Sequence, residues 1–257
     1  MPLTRNSLPE GWQWHLARDY EAGSVLAAEQ LISEWQAKPN LLLCAATGNS
    51  PTRTYDLFVR GVRTDGRSPD QMRVLKLDEW GGLPMADPAT CEVYLQKRLI
   101  QPLNISADRF IAFQSDAPLP AEECHRVEDL LRTQEPIDVC VLGLGINGHI
   151  GFNEPAEELT AGCHVAKLTE DSLSHSMLAS TMKRPSHGLT LGLRNILAAR
   201  TILLLVFGAE KATQLERLLT GGLSTRFPAS FLALHQRVVC ICDEFAAEHL
   251  SPEWLTR

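Results

Sequence analysis

The 257-residue sequence lacks the features of membrane proteins, secreted proteins and nucleic-acid-binding proteins. It contains no run of about 18 apolar residues, which a membrane-spanning helix requires, and no signal-peptide core near its N-terminus. Acidic residues outnumber basic ones, and the formal net charge of −7 argues against nucleic acid or an anionic membrane as the main partner. Internal repeats and low-complexity segments are also absent. A phosphorylated small molecule remains compatible with this charge, because a few local hydrogen-bond donors are enough to bind it.

Paired cysteines and metal-ligand spacings are missing as well. The seven cysteines form no C-x-x-C motif, their number is odd, and most of them lie in apolar surroundings. This pattern predicts reduced, buried thiols in a cytoplasmic protein. No set of His, Cys and Asp residues has the spacing of a metal site, so we expect no metal and no cofactor.

Predicted strands and helices alternate along the whole chain, which is 44% hydrophobic. The alternation predicts one α/β domain with a doubly wound, mostly parallel, Rossmann-like sheet and helices on both faces. Residues 1–11 should form a loose N-terminal arm. The predicted strands are residues 12–16 (an edge strand), 41–45, 73–77, 110–113, 139–142, 164–168, 188–191, 201–207 and 238–242, and the predicted helices are 20–36, 52–62, 91–100, 121–133, 171–180, 194–198, 209–219 and 229–234.

The most informative stretch is residues 138–155, an apolar strand that runs into four glycines. Its Gly-x-Gly-x-x-Gly spacing resembles a dinucleotide fingerprint, but that fingerprint needs a helix at the third glycine, and Gly151 and Pro155 oppose one. We therefore interpret the stretch as a glycine-rich active-site loop that carries His149 and Glu154. The alternative is a plain turn with an incidental histidine.

Four predicted strand ends carry polar or glycine-rich chemistry: residues 47–50, 78–79, 147–154 and 208–211. Because ligands bind beyond the carboxyl ends of the strands in an open parallel sheet, we expect all four segments to meet at one edge.

Two of these segments are suited to binding an anion. The sequence Thr47-Gly48-Asn49-Ser50 precedes a helix, whose first N–H groups could hold a phosphate. The alternative is an ordinary helix start with Ser50 as the cap and Pro51 at the first position. Lys211, in the second segment, would face the same anion. The alternative is a solvent-exposed lysine whose unfavourable interaction with the helix dipole is compensated by its neighbour Glu210.

Asp78 is the candidate general base. Burial and the adjacent Glu79 should both raise its pKa, which suits removal of a proton from carbon. The alternative is a turn or capping aspartate. Among the histidines, His235 is interpreted as structural, and His125 and His175 are expected on the polar faces of helices.

Several motifs occur in the order found in the glucosamine-6-phosphate deaminase/isomerase family, and the sequence resembles that family from about residue 12 to 245. They are residues 43–51, 76–80, 143–155, 205–212 and 228–235. The run Gly-His-Ile-Gly-Phe-Asn-Glu-Pro is the most specific, since the related 6-phosphogluconolactonases share its Gly-His but lack the Phe-Asn-Glu-Pro. Residues 142–149 and 188–193 are most similar to the galactosamine-6-phosphate isomerase branch.

The resemblance implies a metal-free conversion of a hexosamine 6-phosphate to a ketose 6-phosphate and ammonia. His149 would open the sugar ring, and Glu154 would orient the imidazole of His149. Asp78 would move a proton from C2 to C1. Residues 156–185 would form a mobile lid. The residues implied in phosphate and substrate binding are Thr47, Gly48, Asn49, Ser50 and Lys211.

The sequence departs from the family at three places. Asn147 replaces an aspartate that usually neighbours the histidine, so ring opening would depend more on Glu154. Met177 stands where the deaminases place a phosphate-binding arginine of the lid, with Arg184 nearby. His164 and Ala166 replace basic residues of the regulatory site, so we expect no activation by N-acetylhexosamine phosphates.

Three alternative functions stay open at this point. They are glucosamine-6-phosphate deaminase, 6-phosphogluconolactonase and a non-catalytic phosphosugar sensor. The oligomeric state is also open, because family members range from monomers to hexamers and a homo-oligomer is one of the options.

Overall fold

In the computed structural model, which describes residues 11–134 and 136–255, strands and helices alternate from end to end. Only Gly11 of the predicted N-terminal arm lies within the described residues. The strands are β1 Gln13–Ala17, β2 Leu42–Ala45, β3 Arg73–Lys76, β4 Asp78–Gly81, β5 Phe110–Ile111, β6 Val139–Gly143, β7 His164–Ala166, β8 His187–Thr190, β9 Thr201–Val206 and β10 Val238–Asp243.

The helices follow most of the predicted segments. They are α1 Tyr20–Ala37, α2 Asn49–Asp65, α3 Cys91–Leu95, α4 Pro120–Arg132, α5 Glu170–Leu173, α6 Leu193–Leu197 and α7 Ala212–Thr220. Short 3₁₀ turns also occur, among them Ser176–Ser180, Ala209–Lys211 and Pro228–Leu234. None of the described helices combines the length and the apolar character needed to cross a membrane.

Seven parallel strands form the main sheet in the order β1-β10-β9-β6-β2-β3-β5. From β2 the chain proceeds outward through β3 to β5, then returns to β6 on the other side of β2 and continues through β9 to β10. This confirms the predicted doubly wound sheet and places β1 at its edge. The order in which the chain adds strands to the sheet reverses between the parallel neighbours β2 and β6, where Cys44 pairs with Cys140. In such a sheet the crevice at the reversal is the preferred place for a ligand.

Alternate residues of the central strands pack on opposite faces of the main sheet. In β2, Leu42 and Cys44 contact the layer that holds α4, α6 and α7, whereas Leu43 and Ala45 contact the layer of α1 and α2. All of β9 is buried, as expected for a strand covered by helices on both faces. Each fully buried leucine stabilises this arrangement by roughly 1.5–3 kcal/mol. The result is a rigid support for the loops at the sheet edge.

A second sheet, of antiparallel strands in the order β4-β8-β7, was not predicted. Asp78 was expected to follow the strand at residues 73–77, but it is the first residue of β4 and pairs with Thr190 of β8. Only Leu77 separates β3 from β4, so the chain passes from one sheet to the other at that point. This change of sheet fixes the backbone of Asp78 on both sides.

The segment predicted as one helix at residues 171–180 is broken. Thr169 caps α5, and the chain then becomes extended at His175, whose φ and ψ are −60° and 137°. His175 begins the next turn by accepting a hydrogen bond from the Met177 N–H at its ring nitrogen. The prediction that His175 lies on the polar face of a helix is therefore wrong, whereas His125 is exposed on α4 as predicted.

The buried histidine and cysteines agree with the sequence. His235 is buried, and its Nε2 lies 2.8 Å from the Ala199 carbonyl oxygen, so it joins two segments of the core. All seven cysteines are free thiols, and only Cys163 is not fully buried.

Candidate active site

A cleft of about 720 Å³ lies at the carboxyl ends of the main-sheet strands, next to the reversal between β2 and β6. Five neighbouring strands reach it with their carboxyl ends or with the segments that follow them: β2, β3, β6, β9 and β10. The structure therefore brings together the strand-end segments that the sequence singled out. The predicted site residues that line the cleft are Thr47, Asn49, Ser50, Asp78, His149 and Lys211.

The residues 47–50, which we call the cradle loop, include the N-cap and the first two residues of α2. Gly48 is the N-cap with a φ of 99°, a conformation that favours glycine, and no side chain caps the helix. Ser50 lies inside the helix, so the alternative in which it serves as the cap is wrong. The hydroxyl of Tyr20 holds the loop by donating to the Asn49 carbonyl at 2.8 Å. The N-terminus of α2, with its partial positive charge, thus faces the cleft.

Lys211 approaches the same region from the 3₁₀ turn after β9. It is half-buried, and burial lowers its pKa below the usual value, against the opposing effect of Glu210. Its ammonium group forms no salt bridge with any acidic residue in the described part of the chain. An anion in the cleft would meet this ammonium group and the start of α2.

Asp78 is 8% exposed and lines the floor of the cleft. Burial and then the charge of Glu79 raise its pKa to about 7, although His149 and the Cys91 thiol favour the ionised form. The Cys91 Sγ lies 3.8 Å from Oδ1. A pKa in this region suits a general base, because the group is basic enough to take a proton and can be ionised near neutral pH.

A buried ion network lies directly behind Asp78, and no pattern in the sequence indicated it. Lys76 and Glu79 are both 0% exposed, and the Lys76 ammonium contacts Glu79 at 2.6 Å and Glu92 at 2.8 Å. Glu79 also accepts hydrogen bonds from the backbone N–H groups of Trp80 and Cys91 at 2.7 and 2.9 Å. These contacts hold a negative charge next to Asp78.

His149 faces the cleft with Asn147 and Glu154 behind it. Its Nδ1 is 2.8 Å from the Asn147 side-chain oxygen and 3.5 Å from Glu154 Oε2. Since an amide oxygen only accepts, Nδ1 carries the proton, and Nε2 of the neutral ring is left to accept one. Asn147 also donates from its amide nitrogen to Glu154 at 2.9 Å. A β-carbon on Gly145 would lie 2.5 Å from the imidazole, so glycine is needed there.

Glu154 is almost fully buried yet remains ionised. Burial alone would raise its pKa, but His149 and hydrogen bonds from Ser172 and Asn147 outweigh that effect and lower the pKa to about 2. Ser172 belongs to α5, and the Thr169 hydroxyl that caps α5 lies 3.4 Å from the Asn147 amide nitrogen. The segment 156–185 is therefore attached to the groups that orient His149.

Replacing Ser172 by alanine should lower the free energy of unfolding at pH 7 by roughly 1.5–3 kcal/mol, because a hydrogen bond to a charged group is lost. The pKa of Glu154 should then rise from about 2. A depressed carboxyl pKa stabilises the fold above the unfolded-state value of 4.5, and this contribution is lost as the pH falls toward 2. Urea unfolding from pH 7 down to pH 3 measures the effect. Ser174→Ala, which removes an exposed hydroxyl that donates to the Asp171 carbonyl, is the matched control. Equal stabilities at pH 7 would contradict the prediction.

The cleft also contains residues that the sequence did not single out. Tyr20, Phe152, His175 and Asp243 line it, and the rings of Trp80 and Phe152 lie 4.5 Å apart. Asp243 ends β10, so the rule applied to the other strand ends could have found it. The sequence contained no comparable signal for His175. Arg184, the suggested substitute for a lid arginine, pairs with Glu170 and does not line the cleft.

The described residues contain no group of three or more His, Cys, Asp or Glu side chains arranged to hold a metal ion. The cleft brings together one carboxylate with a pKa near neutrality, one oriented imidazole and one ammonium group beside a helix N-terminus. These groups could move protons and hold an anion, an arrangement typical of α/β enzymes.

The chain belongs to the family described as glucosamine-6-phosphate isomerases/6-phosphogluconolactonase, whose model matches residues 21–240. It is 42% identical to the putative deaminase AgaI of Escherichia coli (strain K12) over 225 residues, which cover 88% of this chain and 89% of that protein. It is 34% identical to the glucosamine-6-phosphate deaminase of Halalkalibacterium halodurans, with coverage of 91% and 96%. Within the family, the chain thus groups with the hexosamine-6-phosphate deaminases, as the resemblance predicted.

Solved structures agree with this assignment. A monomeric glucosamine-6-phosphate deaminase of the NagB superfamily superposes with a TM-score of 0.87 at 34% identity, covering 92% of this chain and 99% of that one. The 6-phosphogluconolactonase of Trypanosoma brucei superposes with a TM-score of 0.75 at 20% identity, over 95% and 100% of the two chains. The second likeness shows the fold alone.

Proposed function

We propose that this enzyme converts a hexosamine 6-phosphate, with galactosamine 6-phosphate preferred, into the ketose 6-phosphate and ammonia. The observation that carries the proposal is that Asp78 and His149 line one cleft, each with the surroundings that its role needs. The galacto preference is supported by residues 142–149 and 188–193, which resemble the galactosamine-6-phosphate isomerase branch. The Phe-Asn-Glu-Pro run after Gly151 argues against the lactonase alternative.

His149 performs the first step, opening of the pyranose ring. Its free Nε2 accepts the proton of the O1 hydroxyl and returns it to the ring oxygen, which leaves the open-chain aldehyde form. Asn147 and Glu154 hold the imidazole and stabilise the transient imidazolium. Because Asn147 is neutral, the negative charge next to the imidazole of His149 comes from Glu154.

Asp78 performs the second step. Its carboxylate removes the C2 proton while a proton of the substrate ammonium group moves to O1, which gives an enolamine. The carboxyl group then returns the C2 proton to C1, which converts the enolamine into a ketose imine. Addition of one water molecule to the imine then releases ammonia and the ketose 6-phosphate. The raised pKa of about 7 makes the carboxylate basic enough to take a proton from carbon while part of it stays ionised at neutral pH.

The cradle loop and Lys211 bind the 6-phosphate in this proposal. The start of α2 and the ammonium group present positive charge, and the phosphate dianion compensates the burial of Lys211. The segment 156–185 acts as the lid, which its contacts with Glu154 and Asn147 support.

Ammonia release from galactosamine 6-phosphate and from glucosamine 6-phosphate tests the proposal. We expect both to react and the galacto epimer to have the larger kcat/KM. A larger kcat/KM for the gluco epimer would instead indicate a glucosamine-6-phosphate deaminase. If neither substrate releases ammonia, the proposal fails, and hydrolysis of 6-phosphogluconolactone in the same preparation would distinguish a lactonase from a phosphosugar sensor.

We also propose that the enzyme acts in the cytoplasm, which the free thiols support. Its oligomeric state stays a prediction. The 34%-identical deaminase of known structure is described as monomeric, and size-exclusion chromatography with light scattering would decide whether this chain forms a homo-oligomer.

A further inference from the structure

A second imidazole faces the cleft in addition to His149. His175 is half-buried among the lining residues, between α5 and the turn Ser176–Ser180, and its ring centroid lies 6.1 Å from that of Trp80. The chain next to it is tied to the cradle loop, because the Asn49 amide nitrogen donates to the Ser176 hydroxyl at 3.2 Å. The position of His175 is thus fixed relative to the start of α2.

The hydrogen bond at Nδ1 determines the tautomer of His175. The Met177 backbone N–H donates to Nδ1 at 3.2 Å, so Nδ1 accepts and the proton of the neutral ring is on Nε2. Nε2 is directed at Gly48, where a β-carbon would lie only 3.1 Å from it. Hence an N–H donor from the segment 156–185 lies beside the cradle loop, and the absence of a side chain at position 48 permits this close approach.

The charges around His175 favour an anion at this place. Burial lowers the pKa of His175, and the charges of His149 and Lys211 lower it further. The acidic residues that line the cleft are Asp78, Asp171, Glu210 and Asp243, and within the described chain none of them forms an ion pair with His175. An imidazole, an ammonium group and a helix N-terminus therefore converge, and none of these four carboxylates is paired with the imidazole.

We propose that His175 is a phosphate-binding residue, which donates from Nε2 to the 6-phosphate of the substrate at the start of α2, beside Gly48. The identity of the phosphosugar rests on the proposed function, but the contact itself requires only a phosphate in the cradle loop. A bound dianion opposes the charge of Lys211 and favours the imidazolium form, in which Nδ1 gives up the hydrogen bond from the Met177 N–H. Phosphate binding then takes up a proton, so the affinity rises as the pH falls, down to about pH 6, where a phosphate monoester is itself protonated.

Two variants test the proposal by kinetics. His175→Ala should raise KM for the phosphosugar and the inhibition constant of inorganic phosphate roughly tenfold to a hundredfold, with a much smaller change in kcat, because a hydrogen bond to a charged group is lost. His175→Gln keeps an N–H donor near the position of Nε2, so it should restore part of the affinity but not its pH dependence. His125→Ala, which removes an exposed histidine from α4, should change neither constant.

The imidazole of the unmodified enzyme is observed directly with ¹⁵N-histidine labelling. Inorganic phosphate and a hexitol 6-phosphate should both shift the Nε2 resonance that disappears in His175→Gln and raise its titration midpoint. A resonance that responds to neither would overturn the proposal, as would a loss of kcat in His175→Ala with an unchanged phosphate inhibition constant. If phosphate shifts the resonance but no hexosamine 6-phosphate releases ammonia, the proposed function fails and the phosphate contact stands.

Discussion

Asp78→Asn should lower kcat for ammonia release roughly a hundredfold to ten-thousandfold, the range that loss of a general base produces. Asparagine keeps the shape of the side chain and its place at the start of β4, but it cannot take the C2 proton. KM should change little, because the phosphate and the ring are held by other groups. Steady-state ammonia release from galactosamine 6-phosphate measures the effect, and circular dichroism verifies the fold.

The pH dependence of the unmodified enzyme provides a second measurement for the same group. Because the base acts when ionised and its pKa is about 7, kcat at saturating substrate, which excludes the pH dependence of phosphate binding, should rise with pH through that region and then level off. The residual rate of Asp78→Asn should lack this rise. Asp116→Asn, an exposed aspartate outside the cleft, should behave as the unmodified enzyme. A kcat within about threefold of normal in Asp78→Asn would show that another group is the base, since loss of a general base costs far more.

Much of this site could be predicted because parallel strands have a simple geometry. Apolar runs separated by helical segments imply a doubly wound sheet, and its carboxyl ends must meet at one edge. Residues as distant in sequence as Thr47, His149 and Lys211 therefore had to be neighbours. The same reasoning would have found Asp243, had it been applied to the last strand.

The second sheet could not be predicted in the same way. The sequences of short strands such as β4, β7 and β8 do not indicate which strands they pair with, since the pairing depends on how the loops pack. Asp78 was consequently assigned to the end of one strand, whereas it begins another. His175 was missed for a related reason, because the apolar spacing of residues 171–180 suits a helix and does not indicate the break.

The buried ion network was invisible for a different reason. Lysine and glutamate are almost never fully buried unless they are paired, and the sequence does not reveal the pairing of Lys76 with Glu79 and Glu92. In the structure the ammonium group lies between two carboxylates that are 0% and 14% exposed at the side chain. Two negative charges in the core are tolerated because one positive charge is shared between them.

Lys76→Met should therefore destabilise the fold by roughly 3–5 kcal/mol, since removal of one partner leaves buried charge without compensation. Methionine fills a similar volume, so the loss reports the charge and not a cavity. Urea unfolding at pH 7 measures it. Arg98→Met is the matched control, because Arg98 pairs with Asp56 on the surface and its loss should cost at most about 1 kcal/mol.

Adding Glu79→Gln and Glu92→Gln to Lys76→Met separates uncompensated charge from lost packing. With both carboxylates neutral, the core no longer contains unpaired charge, so the triple variant should recover most of the stability that Lys76→Met loses. An amide at position 79 cannot reproduce every hydrogen bond that the Glu79 carboxylate accepts, so the recovery should stay incomplete. A triple variant no more stable than Lys76→Met would show that the lysine acts by packing alone.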